Sequence, residues 1–147
     1  MAREGDGTVV PGAGSQLGWL LWAGALEGDA ATAAAERLVG PDVLTGFGLR
    51  TLSSSHPAFG PRAYHRGGVW PFDCWLGWGG LRAAGRAAEA ERVRTGVLTA
   101  LDRLGLAPEL YAVTAAGELE PVPVANRVQA WTVGARWALE HDWDGRQ

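Results

Sequence analysis

The sequence predicts an all-α chain of five helices, joined by long ordered loops and alternating between buried and amphipathic members. Three observations carry this. Apolar residues recur at helical spacing in five segments, and the long 41–69 stretch between them holds only one strand-like run, Gly48 to Leu52. Hydrophobic residues make up 47% of the 147 positions and charged residues 20%, which is a globular balance and not a disordered one. Eight tryptophans against two tyrosines and three phenylalanines, together with 22 glycines, fit close helix packing around aromatic side chains. Ordinary core packing accounts for the same composition. A chain of this length is expected to be one domain, 1–147.

Residues 1–14 are polar and glycine-rich and read as a loop. Ser15 stands where it can N-cap a first helix through about Glu27. Leu17, Leu20, Leu21 and Gly24 share one face, and Trp19 and Trp22 add a second, so this helix is apolar almost all round and is expected to be covered on both sides. Asp29 is the expected cap of a second helix, Ala30 to about Val39, which Gly40-Pro41 ends. Residues 41–69 form a long connection punctuated by Pro41, Pro57 and Pro61, and its apolar and aromatic residues argue for order. The strand-like run at 48–52 leaves room there for a short hairpin.

A third helix begins at Pro71 or Asp73 and reaches Ala84. Its Gly77, Gly79 and Gly80 cost on the order of 3 kcal/mol against alanine, which close packing has to offset. The fourth, Arg86 to Leu104, is a clean amphipath. Ala90, Val93, Val97, Leu101 and Leu104 form its stripe, and Glu89, Glu91, Arg92 and Arg94 face solvent. Residues 105–125 are a second long connection. The fifth helix is expected from Asn126, with Ala130, Val133, Gly134, Trp137 and Ala138 inward and Asn126 and Gln129 at capping-box spacing. The buried–amphipathic alternation is what two concentric rings of helices would give, although a plain bundle shares much of it.

Composition removes several function classes. The 13 basic residues, all arginine, form no cluster and the net charge is -3, so no nucleic-acid partner is expected. A single cysteine, Cys74, excludes a disulfide within the chain. The longest apolar run, Leu17 to Leu26, is about half a membrane span and is broken by glycines. The N-terminus carries no apolar secretory core. A soluble cytoplasmic protein without a membrane partner is expected. His65 has no companions at metal-ligand spacing, so neither metal nor cofactor is expected.

Three segments hold residues suited to chemistry: GFGLRTLSSSHPAF (46–59), YHRGGVWPFD (64–73), and APELY (107–111) with PVPVANRVQAW (121–131). In that order and spacing, from about Gly14 to Leu139, they resemble the C-terminal catalytic domain of glycogen-debranching, amylo-α-1,6-glucosidase-like enzymes. Those belong with the (α/α)6-toroid glycoside hydrolases, which include glucosidase I and trehalase relatives. The resemblance implies a partial toroid of five helices, alternating inner and outer. It also implies inverting hydrolysis of α-glucosidic bonds in an α-glucan or small α-glucoside.

Glycosidases place two carboxyl groups across the scissile bond, one as acid and one as base or nucleophile. Glu109 matches the family's general base in its PEL segment, whereas Glu118 and Glu120 lie in a polar loop and read as solvated. Sugar recognition needs flat apolar faces and charged groups for hydroxyls. The resemblance assigns His65, Arg66, Trp70 and Asp73 to substrate binding, with an Asp73 N-cap and a core Trp70 as the rival reading. Gly68, where serine is usual, and Phe72, where a polar residue is common, depart from the family pattern. Phe47 and Arg50 match a loop lining the sugar subsite, with Arg50 read equally well as a structural ion-pair partner. Gln129 and Trp131 match the family's QAW segment. A helix cap and a core tryptophan are their rivals, and Val128 replaces the usual proline.

The family's general acid is an aspartate on the N-terminal part of the toroid, and Asp42, Asp73 and Asp102 do not match it. The resemblance therefore implies the closing five helices of the barrel. The missing N-terminal part becomes a partner, and the chain alone is expected to show no turnover. Trp19, Trp22, Trp75 and Trp78 are expected along the open edge, where a large apolar patch favours association. The alternative is a noncatalytic carbohydrate-binding or complementing portion, and a third reading is a structural helical module.

Overall fold

In the computed structural model, which describes residues 2–145, the helices are α1 (Gln16–Trp22), α2 (Gly28–Leu38), α3 (Pro71–Ala83), α4 (Ala87–Leu104) and α5 (Ala130–Glu140). Three antiparallel ribbons accompany them: β1 (Ala2–Arg3) with β2 (Val9–Val10), β3 (Leu44–Thr45) with β4 (Gly48–Leu49), and β5 (Tyr111–Val113) with β6 (Leu119–Pro121). Helices dominate, as expected, but the all-α assignment is corrected by these hairpins. The hairpin expected near 48–52 lies over 44–49. There Thr45 Oγ1 accepts from the Phe47 N–H at 3.0 Å and donates to the Gly48 carbonyl at 2.8 Å, closing the Gly46-Phe47 turn. The 105–125 connection also folds back on itself, through a turn at Thr114–Glu118.

Helix ends differ from expectation for local reasons. α1 stops at Trp22 and not near Glu27, because Gly24 takes a left-handed φ of 64° and the Ala25 N–H returns to the Leu20 carbonyl. That reversal is the usual glycine helix stop. Ser15 occupies the N-cap position of α1 but makes no side-chain cap, since its hydroxyl is drawn to Asp73. The N-cap of α2 is Glu27, with Asp29 in the first turn, where a carboxylate favours the helix dipole. α5 begins at Ala130, four residues later than expected, because 126–129 are extended backbone tied to the 107–109 segment.

α3 lies at the centre, with α1, α4 and α5 packed on it and α2 packed on α1. Eight of its thirteen residues are buried, as its all-round apolar character demands. Its glycines allow the approach of α1: a Cβ on Gly18 would lie 2.5 Å from the Gly77 Cα, and one on Gly80 would lie 2.5 Å from the Gly18 carbonyl oxygen. α4 buries its expected stripe, with only Leu104 partly open.

The two other apolar helices are covered on one side only. α1 buries Gly18 and Leu21, while Trp19 and Leu20 are exposed. α5 buries Thr132, Ala135, Ala138 and Leu139. Of the residues expected inward, Ala138 is buried, while Ala130, Val133, Gly134 and Trp137 face out, Val133 at 51% and Trp137 at 52% exposure. α3 and α4 cover a single face of α5, and no described element packs on the other. Trp78, expected at the open edge, is in the core at 1% exposure. No helix among the described residues is long and apolar enough to cross a membrane.

Two single bridges, Arg50 to Val69 and Val69 to Tyr111, connect β4, the 64–70 loop and β5 into one short antiparallel ladder. This ladder brings the second and third motif segments side by side.

Candidate active site

Glu109 immediately precedes Leu110 and β5, on a segment fastened to the lead-in of α5. Its N–H donates to the Asn126 carbonyl at 2.9 Å, the Gln129 N–H donates to the Ala107 carbonyl at 2.9 Å, and the Thr132 hydroxyl donates to the Pro108 carbonyl at 2.8 Å. Pro108 and Leu110 are buried on either side, so the Glu109 side chain has little freedom to leave its place.

Glu109 is only 6% exposed, and its side-chain partners come from the 64–73 and 121–131 stretches. Oε1 accepts from the Tyr64 hydroxyl at 2.5 Å and from Gln129 Nε2 at 3.4 Å, while Oε2 faces the Asn126 N–H at 3.4 Å. Donating to the carboxylate favours the neutral phenol, so the Tyr64 pKa is raised above its ordinary value.

Aromatic rings continue outward from this carboxylate. Trp70 meets Tyr64 edge-on at 4.8 Å and stacks parallel on His65 at 5.8 Å, and its indole N–H donates to the Tyr64 carbonyl at 3.0 Å. Trp131, 43% exposed, lies 6.1 Å from Trp70 and 6.1 Å from Phe72. Phe72 in turn meets Trp19 at 5.4 Å. Arg66 is exposed beside His65, and its guanidinium has no hydrogen bond or ion pair among the described residues.

The structure thus gathers Glu109, Gln129, His65, Trp70 and Trp131 into one cluster, with Arg66 next to His65 in the same loop. Gln129 is the N-cap residue of α5 by position, but its side chain makes no cap and turns to Glu109. Asp73 lies apart. Its carboxylate accepts from the Ser15 hydroxyl at 2.6 Å and the Trp19 indole at 3.1 Å, and burial raises its pKa.

Phe47 and Arg50 are also elsewhere. The Phe47 carbonyl accepts from the Tyr111 hydroxyl at 2.5 Å, and its ring lies under the Arg103 guanidinium on the α4 side. Arg50 is buried and donates through Nη2 to the Val113 and Thr114 carbonyls at 3.2 and 2.8 Å, so its direct partners are carbonyls, while the Asp42 carboxylate supports its charge without an ion pair.

Tyr64 is the member that sequence reasoning missed. It opens the YHRGGVWPFD motif but reads there as one more loop aromatic, and its acidic partner is 45 positions away. Among the described residues, no three of His, Cys, Asp and Glu converge as a metal cluster. A buried carboxylate with fixed partners, beside exposed aromatic faces, is suited to binding a sugar ring and moving a proton at its edge.

Residues 2–132 match the mannosylglycerate hydrolase MGH1-like glycoside hydrolase domain. The chain belongs to this family of glycoside hydrolases. No curated protein matches it. Among solved structures it is similar to the GH63 mannosylglycerate hydrolase from Thermus thermophilus in complex with glucose, at 26% identity and a TM-score of 0.69, over 93% of this chain and 31% of that one. The complex of the same enzyme with Tris gives 26% identity and a TM-score of 0.68, over 93% and 31% of the two chains. Its complex with Tris and D-glycerate gives 26% and 0.68, over 93% and 32%. The chain therefore spans about a third of the length of the solved relatives it matches. The resemblance to toroid glycosidases holds, but the family is the mannosylglycerate hydrolase-like one and not specifically the glycogen-debranching one.

Proposed function

We propose that these residues form part of a toroid glycoside hydrolase in which Glu109 is the general base of an inverting reaction. Glu109 takes a proton from a water as that water attacks the anomeric carbon. A general acid, carried by toroid helices other than the five described, protonates the leaving oxygen. Tyr64, Trp70 and Trp131 offer flat faces to the sugar ring, and Gln129 faces Glu109 at longer range. The single observation that carries this reading is the burial of Glu109, with its carboxylate bonded to Tyr64 and bordered by exposed aromatic rings.

We propose as substrate a small α-hexoside with an acidic aglycone, of the mannosylglycerate kind, in place of a branched glucan. The family and the glycerate complex of the Thermus enzyme support this class. Arg66, exposed next to His65 in the same loop and without an ion-pair partner among the described residues, suits a carboxylate. The exposed stripe of Ala130, Val133, Gly134 and Trp137 on α5 is the face that a further toroid helix would cover.

The test is Glu109→Gln in the complete enzyme, assayed on mannosylglycerate and on malto-oligosaccharides. Turnover should fall by about a hundredfold or more with sugar binding retained. An unchanged rate removes Glu109 from the mechanism. Preference for malto-oligosaccharides returns the substrate to the α-glucans.

A further inference from the structure

We infer that Tyr64 is a positioning residue for Glu109: its hydroxyl anchors Oε1 and leaves Oε2 as the oxygen turned to the attacking water. This rests on Glu109 being the general base. The last torsion of a glutamate is broad and nearly two-fold, so burial alone does not decide which oxygen faces the reaction. Of the three contacts to the carboxylate, the Tyr64 bond at 2.5 Å is the short one, while those from Gln129 and Asn126 at 3.4 Å lie beyond the usual range. Tyr64 is itself held. Its carbonyl accepts the Trp70 indole N–H, and its ring is packed edge-on by Trp70 at 4.8 Å and His65 at 4.7 Å. An exposed ring with a buried partner thus carries rigidity from α3 to the carboxylate. Oε2, with one long contact, keeps lone-pair capacity for a water.

The chain has two tyrosines, which makes the bond measurable. Tyr111 is fully buried, donates to the Phe47 carbonyl, and is pushed far up by burial, so tyrosinate absorbance in moderate alkali reports Tyr64. Glu109→Gln should move that midpoint down toward the ordinary phenol value of about 10. Tyr64→Phe should abolish the transition, which assigns it.

In the complete enzyme, Tyr64→Phe should lower kcat about tenfold or more with KM nearly unchanged, a split that lost sugar contact would not give. A midpoint unmoved by Glu109→Gln overturns the inference. So does wild-type kcat in Tyr64→Phe when Glu109→Gln is inactive. Full activity in Glu109→Gln instead overturns the base assignment itself.

Discussion

Ser15 and Asp73 are joined by a 2.6 Å hydrogen bond that fastens the start of α1 to the first turn of α3, and the Trp19 indole binds the second oxygen of the same carboxylate. Burial nonetheless favours the protonated acid, so the Asp73 pKa is raised in the folded chain. A raised carboxyl binds more protons folded than unfolded, so its contribution is full below about pH 4 and is lost as pH rises through the raised value. Denaturant titrations of wild type and Asp73→Asn across that window should show wild type losing ground to the variant as pH rises. Equal slopes would show that Asp73 is not desolvated. Ser15→Ala should cost about 1 kcal/mol at neutral pH.

Asp42 carries the opposite sign. Arg37 donates two hydrogen bonds to it, and the Ser53 hydroxyl donates a third, which holds its pKa down at about 2. Its stabilising effect is present above about pH 4 and is lost as pH falls toward 2. Asp42→Asn should cost about 1–2 kcal/mol at pH 7 and remove that acid limb. The same loss at pH 2 as at pH 7 would sink this reading.

Legibility followed the range of the interactions. The stripe of α4 and the buried character of α3 were readable because each rests on periodicity within one helix. Glu109, Trp70 and Gln129 were singled out by the resemblance of their segments to a family's motifs. Their meeting with Tyr64 was not, because it depends on the bridges at Val69 that align two segments far apart in sequence. Ser15 shows the same limit: a good cap by residue type, it is taken by a partner 58 positions away. The α5 stripe failed for another reason. Periodicity reports that a face is apolar, and only the structure shows which of two apolar faces its neighbours cover.

Arg50 separates scaffold from site. Its guanidinium holds the end of β5 through two carbonyls, and its ring neighbour is Phe59 at 5.5 Å. Arg50→Met should leave those carbonyls unsatisfied and cost about 2 kcal/mol, read by urea unfolding. The affinity of folded protein for sugar, read by tryptophan fluorescence, should hold. A selective loss of sugar affinity at unchanged stability would instead return Arg50 to the subsite.

Gly18 and Gly134 make opposite predictions from the same substitution. A Cβ on Gly18 meets the backbone of α3, so Gly18→Ala must separate α1 from α3 and should cost about 1–3 kcal/mol. Gly134 lies within α5 with nothing within 4 Å of its would-be Cβ. There alanine only restricts the unfolded chain and should gain about 0.5–1 kcal/mol in the 147-residue chain. Val133 and Trp137 on the same open stripe should make that chain associate as concentration rises, which sedimentation reads directly. In a full toroid of the kind proposed, a helix packed on this stripe would meet the new methyl, and the gain at Gly134 should shrink or reverse. An equal gain in both forms would mean that the α5 face stays open in the assembled toroid.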